Sequence, residues 1–133
     1  MVLVDTNVLI DVLEDDPQWA DWSIAQLRAQ AQIQPLAIND IIYSELSLAF
    51  ETLETLDTTI ESLELQVLPM PRSALFLAGK AFLRYRRAGG TKHNVLPDFF
   101  IGAHAATQNM PLLTRDTGRY TSYFSGIRLI APN

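Results

Sequence analysis

"MVLVDTNVLI", Met1 to Ile10, sets Asp5, Thr6 and Asn7 between two aliphatic runs. Val2–Val4 reads as a short buried strand. Asn7 to Leu13 reads as a helix, with Val8, Leu9 and Val12 at compatible spacing. The junction puts a carboxylate at the edge of apolar surroundings, which is costly unless something compensates it. Asp-Thr-Asn suits a helix cap, the more ordinary reading of Asp5 taken singly, and a metal ion is the other way to compensate the charge.

The same alternation continues along the chain. "PLAIN" (35–39), "QVLP" (66–69), "LLT" (112–114) and "RLIA" (128–131) are further short strands. Between them Asp16-Pro17 signals a helix start. The helix after it carries Ala20, Ile24, Leu27 and Ala31 on one stripe. Asn39 can cap a helix whose inward face is Ile42, Leu46 and Ala49. Residues 52–64 form a more polar helix with Glu54, Glu61 and Glu64. Ser73 to Ala88 is helical up to the Gly89–Gly90 stop, and Pro97 opens another helix. Strands alternating with helices predict an α/β fold with a short, largely parallel central sheet flanked by helices. One domain, 1–133, accounts for the whole length.

Composition narrows the class. No stretch approaches the ~20 apolar residues of a membrane span, and no basic-then-apolar leader opens the chain. The absence of cysteine excludes disulfides and thiolate metal sites and agrees with a cytoplasmic setting. The net charge of −5 hides an asymmetry. Residues 1–64 hold thirteen of the fifteen acids and one base, Arg28, whereas nine of the ten bases lie beyond them. The two acids in that basic half are Asp98 and Asp116.

In a parallel α/β sheet, ligands collect beyond the C-terminal strand ends. Asp5 ends the first strand, and Asp116 follows the strand that ends at Thr114. Asp98 lies in the first turn of a helix, where a carboxylate is favoured. Each has an ordinary reading as a cap, a first-turn acid or a turn residue. Glu45, set among Ile41, Ile42, Leu46 and Leu48, is harder to dismiss. Two carboxylates about 5 Å apart repel by about 3 kcal/mol at an effective dielectric near 20. A gathering of four therefore asks for a cation, and all-oxygen ligands favour Mg²⁺ or Mn²⁺. Open acidic sites of this kind serve phosphoryl chemistry.

Four segments in order complete a resemblance. "LVDTNVLID" (3–11), "IIYSELSLAF" (41–50), "LPDFFIGAHA" (96–105) and "LLTRDTGRY" (112–120) resemble the motifs of PIN domains, the nuclease fold of VapC-type toxins. The likeness spans residues 2–120. Two departures stand out: Gly102 where alanine is commoner, and the bulky Phe99–Phe100 pair beside a polar site. The resemblance implies a metal-dependent endoribonuclease that leaves 5′-phosphate and 3′-hydroxyl ends. Asp5, Glu45, Asp98 and Asp116 would be its catalytic residues and hold one or two Mg²⁺ or Mn²⁺ ions. Asn7 and Thr114 would orient those carboxylates.

For an RNA substrate, Lys80, Arg84 and Arg87 follow i, i+4, i+7 spacing on one helical stripe, with Arg86 beside it. Lys92 lies beyond the glycine turn, and Arg115 and Arg119 bracket Asp116. Lys80, Arg84, Arg87, Lys92 and Arg115 are the candidate RNA contacts. The likeness also implies a cognate antitoxin partner, and a homodimer is expected. Helices 17–32 and 40–64 are candidate interaction surfaces, with Trp19 and Trp22 as anchors or as core.

Three alternatives stay open. His93 and His104 would support metal-free cleavage through the ribose 2′-hydroxyl. A phosphatase would use Asp5 as nucleophile, but it usually carries a second Asp where this chain has Asn7. A catalytically silent PIN scaffold would bind RNA or protein without cutting.

Overall fold

The computed structural model describes residues 1–92 and 94–133. Its strands are β1 (Val2–Val4), β2 (Leu36–Asn39), β3 (Leu65–Leu68), β4 (Leu112–Leu113) and β5 (Leu129–Ile130). They form one five-stranded sheet in the order β3-β2-β1-β4-β5. Every pairing is parallel, and Leu3 sits between Ala37 and Leu112. Among the described residues seven α-helices flank the sheet. They are α1 (Thr6–Leu13), α2 (Ala20–Ala31), α3 (Asp40–Leu46), α4 (Leu53–Ser62), α5 (Arg72–Arg87), α6 (Leu96–Thr107) and α7 (Gly118–Tyr123).

This strand order positions the site. The chain builds from β1 out to β2 and β3, then returns to place β4 and β5 on the other side of β1. The reversal falls between β1 and β4, and a crevice opens beyond their C-terminal ends, where α/β sheets bind ligands. Asp5 follows β1 and Thr114 follows β4. The Asp5 N–H donates to the Leu113 carbonyl at 2.9 Å, which stitches the two strand ends together.

Every residue of β1, β2 and β4 is buried, as parallel strands covered on both faces require. Gln66 and Val67 of β3 are exposed, as befits the sheet edge. Asn39 caps α3 by accepting from the Ile42 N–H at 2.9 Å. Gly89 ends α5 with φ +95°, a conformation that glycine adopts at least cost.

The structure shifts several expected boundaries. Asp16 does cap, accepting from the Gln18 and Trp19 N–H groups, but it closes a turn, and α2 begins at Ala20. In α2 the buried positions are Ala20 and Ser23, while Ala31 is exposed. α3 stops at Leu46 and tightens into a 3-10 turn, Ser47–Ala49. That change of pitch turns Ala49 outward and leaves Leu48 90% exposed. Glu64 lies beyond α4, in a left-handed conformation with φ 56°. The helix α7 has no counterpart in the sequence reading.

Both departures in the third motif have packing reasons. Phe99 is fully buried in a cluster with Phe82, Tyr85, Tyr123 and Phe124, and Phe100 is half-buried against the core. A Cβ on Gly102 would lie 2.5 Å from the Phe124 ring, so the glycine gives that ring its space.

Candidate functional site

Asp5 is 4% exposed and spends both carboxylate oxygens on protein donors. Oδ1 accepts from the Thr6 N–H at 2.8 Å, the cap of α1. Oδ2 accepts from Thr114 Oγ1 at 2.8 Å, Tyr120 Oη at 2.9 Å and Asn7 Nδ2 at 3.3 Å. The capping and site readings of Asp5 therefore describe one side chain with two faces. Burial pushes its pKa up to about 6 against the pull of these donors, and the nearby Asp98 charge adds to the rise.

Thr6 joins the first acid to the second. Its N–H holds Asp5, and its hydroxyl donates to Glu45 Oε1 at 2.6 Å. Partial burial and the charge of Asp98 raise the pKa of Glu45. Asp98 is the third residue of α6 and accepts from Arg119 Nη1 at 2.6 Å. Its pKa is also raised, by burial first and Asp116 in addition, with Arg119 opposing. Asp116 is exposed at the mouth, and its N–H donates to Thr114 Oγ1 at 3.1 Å.

The structure thus brings Asp5, Glu45, Asp98 and Asp116 into one electrostatic neighbourhood without closing them into a cage. Among the described residues no three His, Cys, Asp or Glu side chains converge to hold a metal ion alone. The donor set nevertheless fits a hard divalent cation. It is all oxygen, and three of its members have pKa values raised by burial first and by a neighbouring carboxylate in addition, a cost to the ionised forms that a bound cation would offset. Mg²⁺ commonly needs only one or two carboxylates and completes its shell with water and substrate oxygens. Glu45 and Asp98 are partly exposed and Asp116 is exposed, so these three acids are open to the crevice, whereas Asp5 is buried behind them.

Asn7 and Thr114 both touch Asp5, and the Asn7 Oδ1 also accepts from the Arg115 N–H at 3.3 Å. Three further residues shape the site: sequence reading places Arg119 only as a cation bracketing Asp116 and assigns no separate role to Thr6 or Tyr120. Thr6 links Asp5 to Glu45, Arg119 pairs with Asp98, and Tyr120 donates to Asp5. Burial and the Asp5 charge drive the Tyr120 phenol well above its ordinary pKa, so it remains a donor. The signal for Arg119 and Tyr120 lay in "TGRY" itself, polar residues directly after a candidate acid.

The basic side chains divide into two groups. Lys80, Arg84, Arg87 and Lys92 are exposed, with Lys80 over Phe76 at 5.2 Å and Arg84 donating to the Tyr123 carbonyl at 3.1 Å. Arg115 is already engaged. Its Nε and Nη2 donate to buried Asp11 at 2.7 and 3.0 Å, and its guanidinium lies over Trp19 at 5.6 Å. Arg115→Ala is therefore expected to act on stability, because it leaves Asp11 with Ser23 as its side-chain partner. A loss of about 2 kcal/mol is expected. Urea melts and RNA affinity measured together would check this, and undiminished stability with weakened binding would make Arg115 an RNA contact first.

Trp19 and Trp22 meet edge to face at 6.1 Å, and Trp22 packs on the core. His104 is buried, with its Nδ1 accepting from Asn39 Nδ2 at 3.1 Å, and burial lowers its pKa. This places a neutral imidazole in the core, 1% exposed. His93 lies outside the described residues.

The family model described as PIN domain matches residues 2–121. No curated protein matches the chain. Among solved structures, VapBC2 from Rickettsia felis, bound to a DNA fragment from its promoter, aligns with TM-score 0.76 at 18% identity over 100% of both chains. DNA-bound VapBC from Salmonella typhimurium aligns with TM-score 0.72 at 21% identity over 98% of each chain. A toxin–antitoxin complex from Klebsiella pneumoniae gives TM-score 0.64 at 23% identity, covering 100% of this chain and 98% of that one. At these identities the likeness is one of fold.

Proposed function

The chain belongs to the PIN-domain family, and on that premise we propose that it is a metal-dependent endoribonuclease, the toxin of a VapBC-type pair. One observation carries the reading: Asp5 is buried at the β1–β4 switch point, held there by Thr114, Tyr120 and Asn7, and Thr6 ties it to Glu45. Burial first and the charge of distant Asp98 in addition raise its pKa to about 6. Acids gathered beyond the strand ends of a parallel sheet, with a pKa perturbed by burial and by a charged neighbour, mark a candidate site for a cation.

Asp5, Glu45, Asp98 and Asp116 would hold Mg²⁺ or Mn²⁺, with water completing the shell. When bound, the ion supplies a water of lowered pKa and neutralises charge on the phosphate oxygens. The chain's own residues prepare that place. Thr114, Tyr120 and Asn7 fix the Asp5 carboxylate in one orientation, and Thr6 holds Glu45 toward it. Asp98 gains support from the N-terminal turn of α6. Lys80, Arg84, Arg87 and Lys92 supply positive charge for the RNA backbone.

The partner in this reading is an antitoxin, as the toxin–antitoxin neighbour suggests. Exposed Leu75, Phe76 and Leu83 along α5 support self-association as a homodimer. Among the described residues no helix is long and apolar enough to cross a membrane, and we place the protein in the cytoplasm.

Cleavage of a panel of RNAs tests the chemistry. Activity is expected with Mg²⁺ or Mn²⁺ and none with excess chelator, and the products should carry 5′-phosphate and 3′-hydroxyl ends. Chelator-resistant cleavage leaving 2′,3′-cyclic phosphate would reject the proposal in favour of a metal-free route.

A further inference from the structure

The acid cluster carries a cation of its own. Among the described residues two ion pairs form, and Arg119–Asp98 is the one that involves the cluster. Arg119 Nη1 lies 2.6 Å from Asp98 Oδ2, with the two side chains 22% and 32% exposed. The guanidinium also rests near the faces of Tyr85 and Phe99, 5.8 and 6.0 Å from their centroids. These rings give it a seat that does not depend on the carboxylate. The next residue, Tyr120, reaches Asp5, so neighbouring side chains of α7 touch two of the acids.

We propose that Arg119 is the internal counter-cation of this site, occupying Asp98 in the metal-free protein and competing there with a divalent ion. The inference rests on the metal-site reading above. Arg119 satisfies the same carboxylate charge that would bind the ion, so each weakens the other. Whatever stabilises the metal-free state preferentially lowers metal affinity by the same factor. A partly exposed pair of this kind is weak enough to exchange. The aromatic seat keeps the displaced side chain beside the crevice.

The test measures Mn²⁺ affinity by calorimetry at pH 7.5 for wild type, Arg119→Gln, Arg119→Lys and Asp98→Asn. Melting in chelator confirms that each variant is folded. Arg119→Gln is expected to bind Mn²⁺ about tenfold more tightly, a coupling of ordinary size between linked sites. Its melting temperature should also rise more than that of wild type when Mn²⁺ is added. Arg119→Lys, which keeps the charge, should stay near wild type. Unchanged or weaker affinity in folded Arg119→Gln would overturn the proposal. Equal tightening in both variants would do so as well, since lost ring packing would then be the cause. If wild type binds no Mn²⁺, or Asp98→Asn binds it equally well, the metal-site reading itself falls and takes this inference with it.

Discussion

Asp5→Asn is expected to stabilise the metal-free protein at pH 7.5 while reducing RNA cleavage on the order of 10³-fold. The folded-state pKa of Asp5 is about 6, against an ordinary value of 3.8. Between those values the folded chain binds more protons than the unfolded one, so this group's contribution to stability falls as pH rises. Above about pH 6 the full cost of the buried charge is present, about 3 kcal/mol for a shift of about two units. An amide removes the charge, and the Thr114 and Tyr120 hydroxyls can turn to meet it. The melting temperature in chelator should rise by about 10 °C at pH 7.5. The advantage should shrink toward pH 4.5, where wild-type Asp5 is itself protonated. His104 has the opposite sign, its depressed pKa costing stability as pH falls below its ordinary value of 6.5. Because His104 is common to both proteins, its effect cancels in the difference. A variant less stable than wild type at pH 7.5, or one still cleaving RNA at the wild-type rate, would contradict this account.

Phe99→Ala is expected to cost about 4 kcal/mol of folding stability. The ring is fully buried, with centroids 5.6 Å from Phe82 and Tyr85 and 5.2 Å from Tyr123. Its removal opens a cavity that four other rings cannot collapse into without leaving one another. The same ring lies beneath Arg119 and directly follows Asp98, so cleavage should fall along with stability. Chemical denaturation would show the midpoint dropping, whereas Phe99→Leu should lose much less. A loss below about 1 kcal/mol would mean that the cluster repacks freely.

How far the molecule can be read from its sequence depends on the separation of the partners. The β1–Asp5–α1 junction is local: an apolar run, a capping triplet and helical spacing all lie within thirteen residues, and all appear where expected. The same holds for Asn39 capping α3 and for the glycine stop of α5. Alternation announced a parallel sheet but left the strand order open, because nothing in a three-residue strand names its neighbours. Arg115 illustrates the limit. Its setting beside Asp116 suggested a role toward RNA, yet its guanidinium meets Asp11, 104 residues earlier. Tyr120 and Arg119 sit on a six-residue helix with too few turns for periodicity to reveal it. Their roles emerge only once β4 has been laid beside β1.

That last juxtaposition has a consequence for biosynthesis. Thr114 and Tyr120 close onto Asp5 across 109 and 115 residues of sequence. β4 cannot dock on β1 until residues 112–120 have emerged from the ribosome. Before then a nascent chain displays Asp5 and Glu45 without the Thr114 and Tyr120 hydroxyls that later hold the first of them. The surroundings of Asp5 are thus completed only once β4 and α7 can reach back to β1.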